Sequence, residues 1–160
     1  MGIKINTIVL KDIEIIELEN GDFEKRYINP KKYPAFITNR SLATGRNLGI
    51  TKTSLISELI IMKGVFPGDG EINIDDIKPE QAVLLDSERY LPTIYLGLIG
   101  ANKDLELSYE EFLDRYHGDI EQILNDYVGL VAPFVQENSN EFAKGLKKST
   151  STKKSGKAKK

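Results

Sequence analysis

Two runs rich in β-branched residues flank the dipeptide Asn20-Gly21, and this pairing constrains the fold more than anything else in the chain. IKINTIV alternates apolar with polar residues, IEIIEL follows it, and DFEKRYI comes after the dipeptide. Asn-Gly tolerates the positive φ values that tight hairpin turns need, so the spacing predicts a β-hairpin turning near residues 20–21. Period-two alternation puts Phe23, Lys25 and Tyr27 on one face. Residues 3–9 are a candidate third strand.

Past the hairpin the signals become helical. Asn29-Pro30 can open a helix, and Pro34 can sit in a first turn, so the helical part is expected from residue 29. GRNLGITKTS, residues 45–54, looks at first like a phosphate-binding loop. That loop needs five-residue glycine spacing with lysine directly after the second glycine. Here Gly45 and Gly49 are four apart, and Lys52 is displaced. The stretch reads instead as a joint: Gly49 ends one helix in the left-handed conformation and Thr51 caps the next. Leu55, Ile56, Leu59, Ile60 and Met62 follow helical spacing over 52–63. Pro79 opens a further helix, PEQAVLLDSERY, which Pro92 ends or kinks before the apolar PTIYLGLIGAN. Ser108 and Glu111 form a capping box. Asp119, with Gln122 at the box position, caps the last helix, whose stripe is Ile120, Ile123, Leu124, Tyr127, Val131 and Phe134, widened by Val128 and Val135. Pro133 is expected to kink its end.

The fold class is therefore α-rich α+β: an N-terminal β-hairpin (1–28) followed by a helical part (29–143) of about five to six helices in a compact bundle, together a single globular domain over 1–143. The formal net charge of −2 conceals an asymmetry. Eight of the 22 basic side chains fall in KGLKKSTSTKKSGKAKK, residues 144–160, leaving 14 basic against 24 acidic side chains elsewhere, or −10. The tail has too little apolar surface to offset its ordering entropy and reads as disordered. An acidic body is a poor surface for duplex nucleic acid, whose binding depends on neutralising phosphates. MGIKINTIVLKD lacks a signal-peptide core and a small-residue cleavage site, the longest apolar run, around Leu91–Ala101, is too short to span a bilayer, and the absence of cysteine is compatible with a reducing cytoplasm.

Chemistry-bearing constellations are weak. Asp69, Glu71, Asn73, Asp75 and Glu80 mimic the spacing of a calcium loop, but Ile74 stands where its sharp turn needs glycine. His117 is the only histidine, placed at a helix end where a cation is favoured by the helix dipole. With no cysteine and no nucleophile motif, no catalytic, cofactor-binding or metal-ligating residue is assigned. Tyrosines at helical positions default to core packing, with a partner-binding groove as the alternative. On that alternative Tyr95, Tyr116, Tyr127, Val128 and Val135 are the candidate partner-binding residues.

Three stretches carry a resemblance: ITNRSLATGRNLGITKTSLISEL, RYLPTIYLGLIGAN and LSYEEFLDRYHGDIEQILNDYVGLV. In this order, after a strand-forming start, they resemble the tail assembly chaperones of long-tailed bacteriophages or prophages of Gram-positive hosts. The resemblance implies a non-enzymatic protein of the host bacterial cytoplasm. It would coat the tape measure protein, keep it soluble and help the tail tube polymerise, with the tail tube protein as a second candidate partner and self-association left open. It also implies a longer form made by ribosomal frameshifting, for which the lysine pairs Lys147-Lys148 and Lys153-Lys154 are candidate slippage positions. The competing readings are a small acidic ligand- or calcium-binding regulatory module and a minor structural phage protein.

Overall fold

A computed structural model of the chain describes residues 5–50, 75, 78–79 and 86–133. Strands β1 (Asn6–Glu17) and β2 (Phe23–Ala35) form a two-stranded antiparallel sheet. The turn falls where Asn20-Gly21 puts it, as a three-residue loop. The Leu18 carbonyl accepts from the Gly21 amide at 2.9 Å, and Leu18 N–H donates to the Asp22 carbonyl at 2.8 Å. Gly21 then takes φ 83, the left-handed residue that lets such a loop rejoin a twisted ladder. The Asn20 side chain locks the corner by accepting from Asp22 N at 3.1 Å.

The strands run further than the sequence implied. Residues 6–9 begin β1 itself rather than forming a third strand, and β2 continues through Asn29, Pro30 and Pro34, where a helix was expected. The register explains how. It shifts between Leu10↔Lys31 and Asp12↔Ile28, so Asn29 and Pro30 together oppose Lys11 as a β-bulge. Asn29 takes φ 53, a conformation asparagine tolerates, and prolines are accommodated at bulges and on edge strands, where no ladder hydrogen bond is lost. The helical part thus starts at Asn39.

Among the described residues there are four helices: α1 (Asn39–Asn47), α2 (Ser87–Ala101), α3 (Tyr109–Arg115) and α4 (residues 120–133). Thr38 caps α1 in a reciprocal box with Ser41, at 3.0 and 2.9 Å. The helix ends as the glycine punctuation required: Gly49 is left-handed (φ 69), its N–H reaches Arg46 O, and Ile50 N–H reaches Gly45 O. α2 starts at an Asp86 cap and passes through Pro92. α3 carries the Ser108–Glu111 box, at 3.1 and 2.8 Å. Asp119 caps α4 through Gln122 N at 2.8 Å, while the Gln122 side-chain amide donates to Asp126 Oδ1 at 2.7 Å. The Thr51 cap, the helix over 52–63, residues 80–85 of the helix expected from Pro79, the calcium-like loop apart from Asp75, Phe134 and the tail lie outside the described residues.

α2 is the central element: Tyr90, Ile94, Tyr95, Leu96 and Leu98 are all buried, which is how a helix apolar on most sides must sit. Around it gather Phe112, Leu124, Tyr127 and Val131 from α3 and α4, and Ile8, Leu10 and Ala35 from the base of the sheet. The sheet is bolted to α2 by backbone. Phe36 N–H donates to Gly97 O at 3.0 Å, and the Asn102 amide donates to Pro34 O at 2.8 Å. Gly100 permits this approach, because a Cβ there would lie 2.7 Å from the Phe36 carbonyl oxygen.

Candidate functional site

The ribbon changes character at Asp12. Below it Ile8 and Leu10 are fully buried; from Ile13 to Ile28 no residue is buried. The outer half of the hairpin is therefore an arm that leaves the body. Two contacts brace its root. Arg115, in the last turn of α3, donates from Nε to Asp12 Oδ1 at 3.0 Å, while the Asn29 amide donates to Asp12 Oδ2 at 3.2 Å. The bulge residue and the helix end thus hold the same carboxylate.

The arm's two faces differ. Cross-strand partners share a face, so one side carries Asp12, Glu14, Ile16, Glu24, Arg26 and Ile28. It is charged, with Arg26 paired to Glu24 at 2.9 Å. The other side carries Ile13 opposite Tyr27, Ile15 opposite Lys25, and Glu17 opposite Phe23. Here Ile15 is 71% and Phe23 70% exposed, with Ile13 and Tyr27 exposed beside them. Isolated exposed apolar residues are ordinary; four on one face of a projecting ribbon form a patch, the usual mark of an interaction surface.

The same face continues down β1 into a cleft. Thr7, Val9 and Lys11 alternate on it below Ile13, and they line a half-open cleft of ≈ 290 Å³ with Tyr116, His117, Gly118, Asp119, Gln122 and Asp126. His117 stacks on Tyr27 with ring centroids 5.2 Å apart and an interplanar angle of 29°. Lys11 and Lys25 each place Nζ 5.2 Å from the Tyr27 centroid. Tyr27 is thus held between two cations and an imidazole, a well-defined aromatic at the junction of arm and body. His117 Nε2 is buried without a hydrogen-bond partner among the described residues, and its ring is used in the stack on Tyr27.

The cleft floor is a polar network. Asp126 is 6% exposed; its Oδ2 accepts from the Tyr116 hydroxyl and its Oδ1 from Gln122 Nε2, both at 2.7 Å. The Asn6 side chain donates to the Asp126 carbonyl at 3.2 Å and joins the foot of β1 to α4. Burial raises the Asp126 pKa above the ordinary carboxylate value against the downward pull of those two side-chain hydrogen bonds. Burial, and then the Asp126 charge, push the Tyr116 hydroxyl well above its ordinary value, so it is a permanent donor. Both Asp126 carboxylate oxygens are thus engaged within the protein, tying the α3–α4 connection to α4.

The residues singled out from sequence fare differently from one another. Tyr95 and Tyr127 are buried in the core; the Tyr95 hydroxyl donates to Leu107 O at 2.7 Å, and Tyr127 packs against Tyr90 at 4.8 Å. Val128 is half-buried against that core. Val135 lies outside the described residues. Of the four that are described, only Tyr116 lines the cleft. The two most exposed large apolar residues among those described, Ile15 and Phe23, sit on the hairpin, where Phe23, Lys25 and Tyr27 do share a face, as alternation required. The missing signal was available: IEIIEL places Ile13 and Ile15 on one side and Ile16 on the other, more apolar residues than a ribbon with only one covered face can bury.

No protein-family model, curated protein or solved structure matches the chain. Among the described residues no helix is long and apolar enough to cross a membrane, and no group of three or more His, Asp or Glu side chains could hold a metal ion.

Proposed function

We propose that this chain is a non-enzymatic assembly chaperone that holds an elongated apolar client through its hairpin arm. The observation that carries the reading is the exposed face of Ile13, Ile15, Phe23 and Tyr27 on a ribbon braced at its root. A rigid ribbon presenting aromatic and β-branched side chains suits an amphipathic helix or extended segment, because its anchors are already ordered before binding. The acidic body beneath, −10 over residues 1–143, adds charge repulsion that keeps a coated client dispersed. The resemblance to phage tail assembly chaperones supplies the client: the tape measure protein, a long helical chain that needs covering until the tail tube forms around it, in the host cytoplasm.

The test is co-expression with the very long coiled-coil protein encoded downstream of a tail tube gene in the same genome. The proposal expects that protein to become soluble and to co-purify. A client that stays equally insoluble, with nothing co-purifying, would sink it.

A further inference from the structure

We infer that, before it meets a client, the arm is covered by the arm of a second copy of this chain, packed face to face and antiparallel about a two-fold axis. The inference rests on the client-binding reading of the same face and supplies its resting state. Its basis is the order of side chains along the ribbon. On β1 the face reads Lys11, Ile13, Ile15, Glu17 from root to tip, and on β2 Tyr27 and Lys25 stand opposite Ile13 and Ile15. A closed two-fold dimer needs a patch complementary to itself. Turning one copy end over end about a point between Ile13 and Ile15 satisfies that requirement at each of these positions. Lys11 meets Glu17 of the second copy, Ile13 meets its Ile15, and Tyr27 meets its Lys25. The last contact repeats between copies the cation–aromatic pairing that Lys25 already makes with Tyr27 at 5.2 Å within one copy. Along β1 both ends of the match carry opposite charges and its centre is apolar.

Edge-to-edge pairing of two β1 strands in the register that also matches Lys11 to Glu17 is disfavoured. It sets Glu14 directly against Glu14 of the second copy, and like charges across a strand pair repel. In the face-to-face arrangement Glu14 points to the outer, charged side.

Sedimentation velocity on the full chain without any client tests this. The wild type is expected to form a species of twice 18.0 kDa at about 100 µM, a concentration that detects even weak association. Ile15→Lys, at a residue 71% exposed and outside the core, is expected to weaken the dimer by about 10-fold or more, with circular dichroism confirming the fold. Lys11→Glu and Glu17→Lys should each weaken it by roughly 5-fold, and the two combined should return it to within about 2-fold of wild type, since the pair is then restored with its signs exchanged. A monomer at that concentration, an Ile15→Lys variant that dimerises as the wild type does, or a charge swap that fails to restore association overturns the inference. Because no client is present, these outcomes leave the client-binding reading to stand or fall on its own co-expression test.

Discussion

Arg115 and Asp12 are 103 residues apart in sequence and meet at 3.0 Å, at the point where the ribbon leaves the core. The pair is partly exposed, so its contribution to global stability is small, on the order of 1 kcal/mol or less. Its effect is local. Arg115→Ala is expected to leave the melting temperature nearly unchanged while speeding amide hydrogen exchange over residues 12–28. Equal exchange in the two proteins would mean that the arm does not depend on this brace.

The buried Asp126 makes a signed prediction. Its folded pKa is raised, so the native state holds a proton more tightly than the unfolded chain does. The stability this gives is fully present below the ordinary carboxylate pKa and is lost as pH rises through the raised value. Asp126→Asn removes the titration, so its stability should vary less than wild type across that acid window, measured by urea unfolding at a series of pH values. Tyr116→Phe leaves one buried carboxylate oxygen without its donor and should cost about 1.5–3 kcal/mol near neutral pH.

Gly100→Ala is expected to destabilise by about 1–3 kcal/mol, because the new methyl meets a backbone oxygen at 2.7 Å and not a movable side chain. Thermal unfolding measures it. A neutral result would mean that the sheet–α2 junction is looser than its hydrogen bonds suggest.

Much of this architecture is legible in the residues. Gly49, Ser108 and Asp119 act locally, through one turn of chain, and each stands where its chemistry places it. Asn20-Gly21 located the turn for the same reason. The start of the helical part was not legible, because Asn29-Pro30 serves a helix start and a β-bulge equally well. The bulge is held from residues distant in sequence, Asn29 bonding Asp12 and Asp12 in turn Arg115. The tyrosines misled for a related reason. Helical spacing shows that Tyr95 and Tyr127 lie on an apolar face, but not whether another element covers it, and here α3 packs on Tyr95 and α2 on Tyr127. The most exposed apolar side chains are instead on the ribbon, whose second face meets the body, among the described residues, through the His117–Tyr27 stack.

That the arm face, and not the helix tyrosines, holds the client is tested most directly by the affinity of the purified tape measure candidate for wild type and for the Ile15→Ser/Phe23→Ser double variant. Both residues are exposed, so the fold should be unaffected. Calorimetric titration is expected to show binding weakened by about 10-fold or more, as when central anchors of an interface are truncated. Affinity unchanged in the double variant would contradict the account.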